Sequence, residues 1–380
     1  MHIGIFYRDY DSAGGMPREW RRLASQLSEL GERVTVYTYG IQGRADDTPD
    51  AVVVNRFYSK RLLRLPGSLV ATLARDSAEL DILEIVGGYF LENIGVARVA
   101  KKLAIPYIFA PLGHLAPNLI NRSPAKKRLF INLFLRGALR DSIGLHCLSE
   151  LDQVSALKYA DRPVVRTTFG SFTEDVPNSL DEHYLRTRLS LSGEHIVVLY
   201  LGRLDAYWKG LATLIESFGI IRSRCPECHL VFIGPDQEGG LRRLERQVRT
   251  ANLGEQVHFL DAIWGARKFD ALASADILVC PSRMECIPRT VREALAVGCP
   301  VLISEATHAA DIVTRYSAGA VTPVEAESMA EILLGLVRDP NRLRVMRANA
   351  RRASMEGFNW ENEAIALRNG FKNLLAADSA

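Results

Sequence analysis

No apolar run in the 380-residue chain reaches membrane-spanning length. The N-terminus, MHIGIFYRDY, has no basic segment ahead of a long apolar core, so no signal peptide is read there. Neither sign of charge is in large excess, with 47 Lys and Arg against 44 Asp and Glu. The formal net charge is +3, and there is no strongly basic domain and no aromatic RNA-binding motif, which argues against nucleic acid as a partner. Cysteine is sparse, with six residues: Cys147, Cys225, Cys228, Cys280, Cys286 and Cys299. Several sit in apolar strand-like or helix-like surroundings, which suits reduced, buried thiols and a cytoplasmic setting. Cys225-Pro-Glu-Cys228 has metal-like spacing, but no second pair accompanies it, so no metal is expected.

What is present reads as α/β architecture. A hydrophobic content of 48% and a charged content of 24% are ordinary for a globular protein, and the length favours two domains. Apolar strands alternate with amphipathic helices. HIGIFY, RVTVYTY, DILEIV, PYIFAP and GLHCLS read as strands of a first series, and MPREWRRLASQLSELG as a helix within it. The pattern restarts near residue 185 with HIVVLYLGRL, HLVFIG, VHFL and DILVCPS. Two similar βα series predict two Rossmann-like, doubly wound domains with a cleft between them. TTFGSFTEDVPNSLDEHYL, residues 167–185, is the expected linker. Ligands in such sheets sit beyond the carboxyl ends of the strands, so the loops after strands matter most.

One such loop opens PSRMECIPRTVREALAVGCPVLIS, residues 281–304. Pro288 disfavours helix at Ile287 and fits a helix start; Gly298 and Pro300 mark its end. Glu285 then lies on the loop and Glu293 in the first turns of the helix. A helix N-terminus favours anions, and a carboxylate beside it can accept bonds from vicinal hydroxyls. The plainer reading is that both acids only stabilise the helix start. A second loop, in LYLGRLDAYWKGLATLIESF, carries Arg203 and Lys209, two cations suited to a diphosphate or simply to solvent. DSAGGMPRE, after the first strand, is not G-x-G-x-x-G; Gly14 and Gly15 allow close backbone approach or a plain turn.

The stretch from Pro281 resembles the E-x7-E motif of retaining GT-B glycosyltransferases of family 4. It matches at Pro281, Ser282, Glu285, Pro288, Glu293, Ala294, Ala296, Gly298, Pro300 and Val301. Gly202, Arg203, Lys209 and Gly210 resemble the family's G-R-x(n)-K-G. Gly14, Gly15 and Glu19 resemble its glycine pair, and Gly113-His114 within PLGHLAPN resembles P-x-G-x-L-x-P. The resemblance spans nearly the whole chain. It implies a GT-B fold with two Rossmann-like domains facing a deep cleft: residues 1–180, binding the acceptor and joined by a C-terminal helix at about 358–376, and residues 181–357, binding the nucleotide sugar. It implies that Glu293 reads the ribose and Glu285 the donor hexose, and that Arg203 and Lys209 stabilise the leaving diphosphate. Gly14, Gly15, Gly202, Ile287, Pro288, Arg289 and Thr290 would line the donor. His114 would touch the transferred sugar or orient the acceptor.

The implied activity is a metal-independent, retaining transfer of a hexose, first of all glucose from UDP-glucose, to a glycan or lipid-linked acceptor in bacterial polysaccharide assembly. No cofactor is implied. No Asp-x-Asp motif stands where a metal would hold the diphosphate. Rival readings are a UDP-sugar epimerase on the same fold and a non-catalytic sugar-nucleotide-binding subunit. The pattern departs at SEATHAADIV, where His308, Ala309 and Asp311 replace an expected Gly-Gly and Glu. YSKRLLRLPGSLVATLAR and PAKKRLFINLFLRGALRD mix cations with Leu and Phe. Such segments lie on anionic membranes or, more ordinarily, cover a sheet with their cations on the wet face. The expected location is the cytoplasm, with the inner face of the plasma membrane as the variant for a lipid-linked acceptor.

Overall fold

The apolar runs form two wholly parallel sheets in the computed structural model, which describes residues 1–12, 14–40, 51–58, 65–121 and 123–378. The first sheet holds β1 (His2–Phe6), β2 (Arg33–Tyr39), β3 (Val52–Phe57), β4 (Ile82–Val86), β5 (Tyr107–Ala110), β6 (Gly144–Cys147) and β7 (Val164–Arg166). Their order is 3-2-1-4-5-6-7, with Ile3 of β1 registered against Val34 of β2 and Ile82 of β4. The second holds β8 (Ile196–Leu201), β9 (Cys228–Ile233), β10 (Val257–Leu260), β11 (Ile277–Cys280), β12 (Val301–Ser304) and β13 (Gly319–Thr322), in the order 10-9-8-11-12-13. Both orders reverse direction beside the first strand of the sheet, the topology in which ligands sit at the strand carboxyl ends. Central strands are buried on both faces, which is why they read as continuous apolar runs rather than alternating ones.

The chain divides into two compact units, Met1–Phe169 with Trp360–Ala380, and Gly170–Asn359. The sequence placed the boundary at 180/181, and the structure places it eleven residues earlier. The reason is local. Residues after Phe169 belong to the second unit: Gly170 O accepts the Arg292 guanidinium, and Ser171 N–H donates to Phe358 O at 2.7 Å. The helix Trp360–Asp378 belongs to the first unit. Trp360 packs against Phe169 with the ring centroids 5.9 Å apart and the planes tilted by 42°, and the fully buried Leu367 and Phe371 each contribute about 1.5–3 kcal/mol of apolar burial.

Three strands went unread: β3, β7 and β13. All are sheet edges. β3 carries Asn55 and Arg56 with only its ends buried, and β7 has three residues. Edge strands lose the two-sided burial that produces a clear apolar run. The cysteine expectation also needs correction. Cys147, Cys280 and Cys299 are free and buried as expected, but Cys225 and Cys228, also buried, are joined in a disulfide. Residues 59–64 of the first basic stretch lie outside the described residues; its remainder includes the helix Gly67–Asp76. Among the described residues, no helix is long and apolar enough to cross a membrane.

Candidate functional site

Two loops at the carboxyl edge of the second sheet are locked back to back. The loop after β8 runs from Gly202 to Gly210 and enters the helix Leu211–Ile221. Gly210 has φ 68°, and a Cβ there would stand 2.0 Å from Pro281 O, so no other residue fits. Arg283 N–H donates to Trp208 O at 2.9 Å and closes the second rung between the loops. Asp205 Oδ1 accepts the N–H groups of Tyr207 (3.0 Å) and Trp208 (2.8 Å), an Asx turn that shapes the span between the two cations. The buried Tyr200 donates its hydroxyl to Arg203 O at 2.8 Å, and exposed Arg203 reaches Gln237 Oε1 at 3.4 Å.

This backing brings Lys209 onto Glu285, and the two form an ion pair. Ser282 Oγ donates to Glu285 Oε2 at 3.3 Å. The backbone of Glu285 is held by the loop after β12: Glu285 N–H meets Ala306 O at 3.4 Å, and His308 N–H meets Glu285 O at 3.2 Å. The departing segment SEATHAADIV therefore supports the first glutamate. His308 itself is buried, which pushes its pKa down to about 4, and neither ring nitrogen has a hydrogen-bond partner among the described residues.

Glu293 is the fifth residue of the helix Arg289–Val297 and only 6% exposed. Its Oε1 accepts Lys268 Nζ at 2.5 Å and lies 2.9 Å from Arg289 Nε, an i,i+4 pair. The Arg289 guanidinium also contacts Asp175 at 3.2 Å and stands 5.1 Å over the Phe172 ring. Pro288 caps this helix with no side-chain bond, so the N–H groups of its first residues have no partner within the helix.

A cavity of about 230 Å³ opens between these elements. Gly202, Arg203, Lys209, Glu285, Pro288, Arg289 and Thr290 line it over a floor that includes Tyr200 and Cys280. Seven of the residues singled out in the sequence thus share one cavity. Ile287 is buried and Glu293 sits on its two cations; neither lines the cavity. Three cations, Arg203, Lys209 and Arg289, and a helix N-terminus give the cavity a positive wall, while Glu285 gives it one acceptor of hydroxyl bonds. Sequence reasoning missed Lys268, Tyr200 and Gln237, and gave Ser282 a place in the motif but no role. Lys268 lies on the helix after β10 and no motif marks it.

The remaining candidates lie in the first unit. Gly14 caps the helix Gly15–Glu29, and a Cβ at Gly15 would meet nothing within 4 Å. Half-buried His114 follows β5. Gly88 N–H donates to His114 Nδ1 at 2.8 Å, which puts the proton of the neutral ring on Nε2. A Cβ at Gly88 would stand 2.7 Å from that of His114, so the close approach requires glycine. Burial, with the Lys127 charge adding, lowers the His114 pKa to about 4, and the ring is neutral near pH 7.

These folds and motifs agree with comparisons to known proteins. The family described as glycosyl transferases group 1 matches residues 183–353, and a glycosyl transferase 4-like domain matches residues 14–166. The chain belongs to the group 1 glycosyl transferases, and its two parallel-sheet domains are those of the GT-B fold. A phosphatidyl-myo-inositol mannosyltransferase of Mycolicibacterium smegmatis is 30% identical over 45% of this chain and 44% of that protein. The match therefore spans less than half of that relative's length. The sulfoquinovosyl transferase SQD2 of Arabidopsis thaliana is 23% identical over 93% of this chain and 70% of its own. Sucrose-phosphate synthase from Thermosynechococcus elongatus shares the fold with a TM-score of 0.74 at 21% identity, over 99% of both chains. Anabaena HepE in complex with UDP does so with a TM-score of 0.75 at 20% identity, over 98% of this chain and 100% of that one.

Proposed function

We propose that this protein transfers a hexose, with retention and without a metal, from a nucleotide diphosphate sugar to a glycan or lipid-linked acceptor. UDP-glucose is the first candidate donor. The observation that carries the reading is the cavity in which Arg203 and Lys209 stand with Glu285 and the N-terminus of the helix Arg289–Val297. Arg203 and Lys209 take the diphosphate, Glu285 the hydroxyls of the sugar, and Glu293 the ribose. The second unit holds the donor and the first the acceptor, with Gly14 and Gly15 at the acceptor entry and against the donor diphosphate, and His114 at the transferred sugar or the acceptor. UDP as the nucleotide draws support from HepE, which is known in complex with UDP, with UDP and glucose, and with UDP-glucose. A lipid-linked or surface-glycan acceptor draws support from the mannosyltransferase above and from WaaG, a neighbour involved in lipopolysaccharide biosynthesis.

In this reading the acceptor hydroxyl attacks the anomeric carbon from the side that the diphosphate leaves. The new C–O bond forms as the sugar–phosphate bond breaks, and the hydroxyl proton passes to the departing phosphate oxygen. The cations act on charge that develops during this step, where fixed electrostatics stabilise most. Calorimetric titration with UDP, GDP, ADP and TDP in EDTA tests the donor site. Micromolar binding of one nucleotide is expected; no binding, with EDTA or with magnesium, removes the reading.

Peripheral membrane contact belongs to the same proposal. The second basic stretch divides its leucines: Leu135 and Leu139 are fully buried in the core of the first unit, whereas the other two face outward. Leu129 and Leu133 are 60% and 62% exposed, with Phe134 beside them and exposed Lys126, Arg128, Arg136 and Arg140 around them. Cations around an apolar wedge match an anionic bilayer surface. The protein should float with phosphatidylglycerol vesicles and not with phosphatidylcholine vesicles. Leu129→Asp with Leu133→Asp should abolish flotation; equal binding by that variant overturns the surface.

A further inference from the structure

Two loops of the first unit, after β5 and after β6, meet on one carboxylate that the mechanism above does not use. Asp152 is completely buried. It is the third residue of the helix Glu150–Leu157, whose cap, Ser149, accepts the Asp152 N–H at 3.1 Å. An acid at this position ordinarily returns to the N–H of the capping residue and closes a capping box. Asp152 reaches elsewhere. Its Oδ1 accepts Gly113 N–H at 2.9 Å, and its Oδ2 accepts Leu148 N–H at 3.1 Å.

The first of these bonds falls on an unusual turn. Leu112 and Gly113 are consecutive left-handed residues, with φ 55° and 71°. Leucine is unfavourable there, so something must hold the turn. The turn is short, with His114 N–H on Pro111 O at 3.1 Å and Ala116 N–H on Gly113 O at 3.0 Å. The ring of His114 emerges directly from it and is met on the other side by Gly88.

We propose that Asp152 is a positioning residue: its carboxylate anchors the Leu112–Gly113 turn to the loop after β6 and so fixes where the His114 imidazole stands. The inference rests on the reading that His114 contacts the transferred sugar. The carboxylate suits this role because both of its oxygens accept and neither donates. Burial raises the Asp152 carboxyl to about 6 against the two N–H bonds, so above neutral pH it stands as the acceptor-only anion. An asparagine keeps the volume but offers one oxygen, and its amide would face the second N–H.

The experiment measures kcat and KM for release of the nucleotide from the donor selected by calorimetry, in full-length wild type, Asp152→Asn, His114→Ala and the double variant. Asp152→Asn is expected to lower kcat about 100-fold, the size of loss seen when a reacting group is misplaced by about 1 Å. KM and nucleotide affinity should stay within about twofold, since the donor cavity is built by the other unit. The double variant should be no slower than His114→Ala alone. An impaired His114→Ala with a fully active Asp152→Asn overturns the positioning role and leaves the functional reading intact. Losses that multiply in the double variant also overturn it. A fully active His114→Ala removes the reading of His114 itself, and the inference with it. Hydrogen exchange in the wild type tests the anchor without any variant. The Gly113 amide should exchange as slowly as those of β5, and exchange at the rate of an open loop overturns the anchor.

Discussion

Lys209→Ala should lower turnover by about 100- to 1,000-fold, the loss typical of removing one fixed donor to developing charge. Folding should be nearly untouched. The ammonium and the Glu285 carboxylate are 19% and 24% exposed, so water reaches both, and losing the pair costs about 1 kcal/mol. In a unit of this size that shifts Tm by about 2–4 °C. Lys209→Arg should recover only part of the rate, because the planar guanidinium is bulkier than the ammonium that meets Glu285. The ion pair also predicts an order of events. In the proposed reading a diphosphate would compete with Glu285 for Lys209 and free the carboxylate for hydroxyls. Glu285→Gln should therefore bind the nucleotide at least as tightly as wild type while turning over slowly. The checks are release of UDP from UDP-glucose and thermal unfolding of each variant. Full activity of Lys209→Ala sinks the leaving-group role.

The parts of the site legible in the sequence are those written as local punctuation. Gly202 and Gly210 bracket the first cation loop, and Pro288 and Gly298 bracket the helix that carries Glu293. Such residues announce backbone turns regardless of tertiary context. What was not legible depends on contacts between distant segments. Lys209 meets Glu285 across 76 positions, and Lys268 meets Glu293 across 25. No period or spacing encodes either meeting. Nothing in the sequence marks Asp152, and only the fold carries its oxygens to Gly113. The leucines at 129 and 133 have helical spacing, which periodicity assigns to a core; the structure leaves them in solvent. Asp205, which no motif marks, builds the turn between Arg203 and Lys209.

Glu293→Ala makes a prediction with two opposite signs, which separates a ribose reader from a helix stabiliser. The carboxylate now neutralises Lys268 and Arg289 together. Removing it releases positive charge beside a cavity that Arg289 already lines. Affinity for a bare anion such as pyrophosphate should hold or rise. Affinity for the whole nucleotide should fall by about 10- to 100-fold, because hydrogen bonds to a charged acceptor contribute about 1.5–3 kcal/mol. A helix stabiliser would lower both or neither. The 2′,3′-dideoxy nucleotide completes the cycle. It should bind the wild type as weakly as the ribose nucleotide binds Glu293→Ala, and the variant should not distinguish the two. Stability should drop by about 1–3 kcal/mol, since two partly buried cations lose their shared acceptor. Glu293→Gln, which keeps the volume and one acceptor, should fall between. Calorimetry of these ligands against folded protein at one ionic strength is the measurement. If removing the ribose hydroxyls costs the variant as much as it costs the wild type, the ribose assignment of Glu293 is wrong.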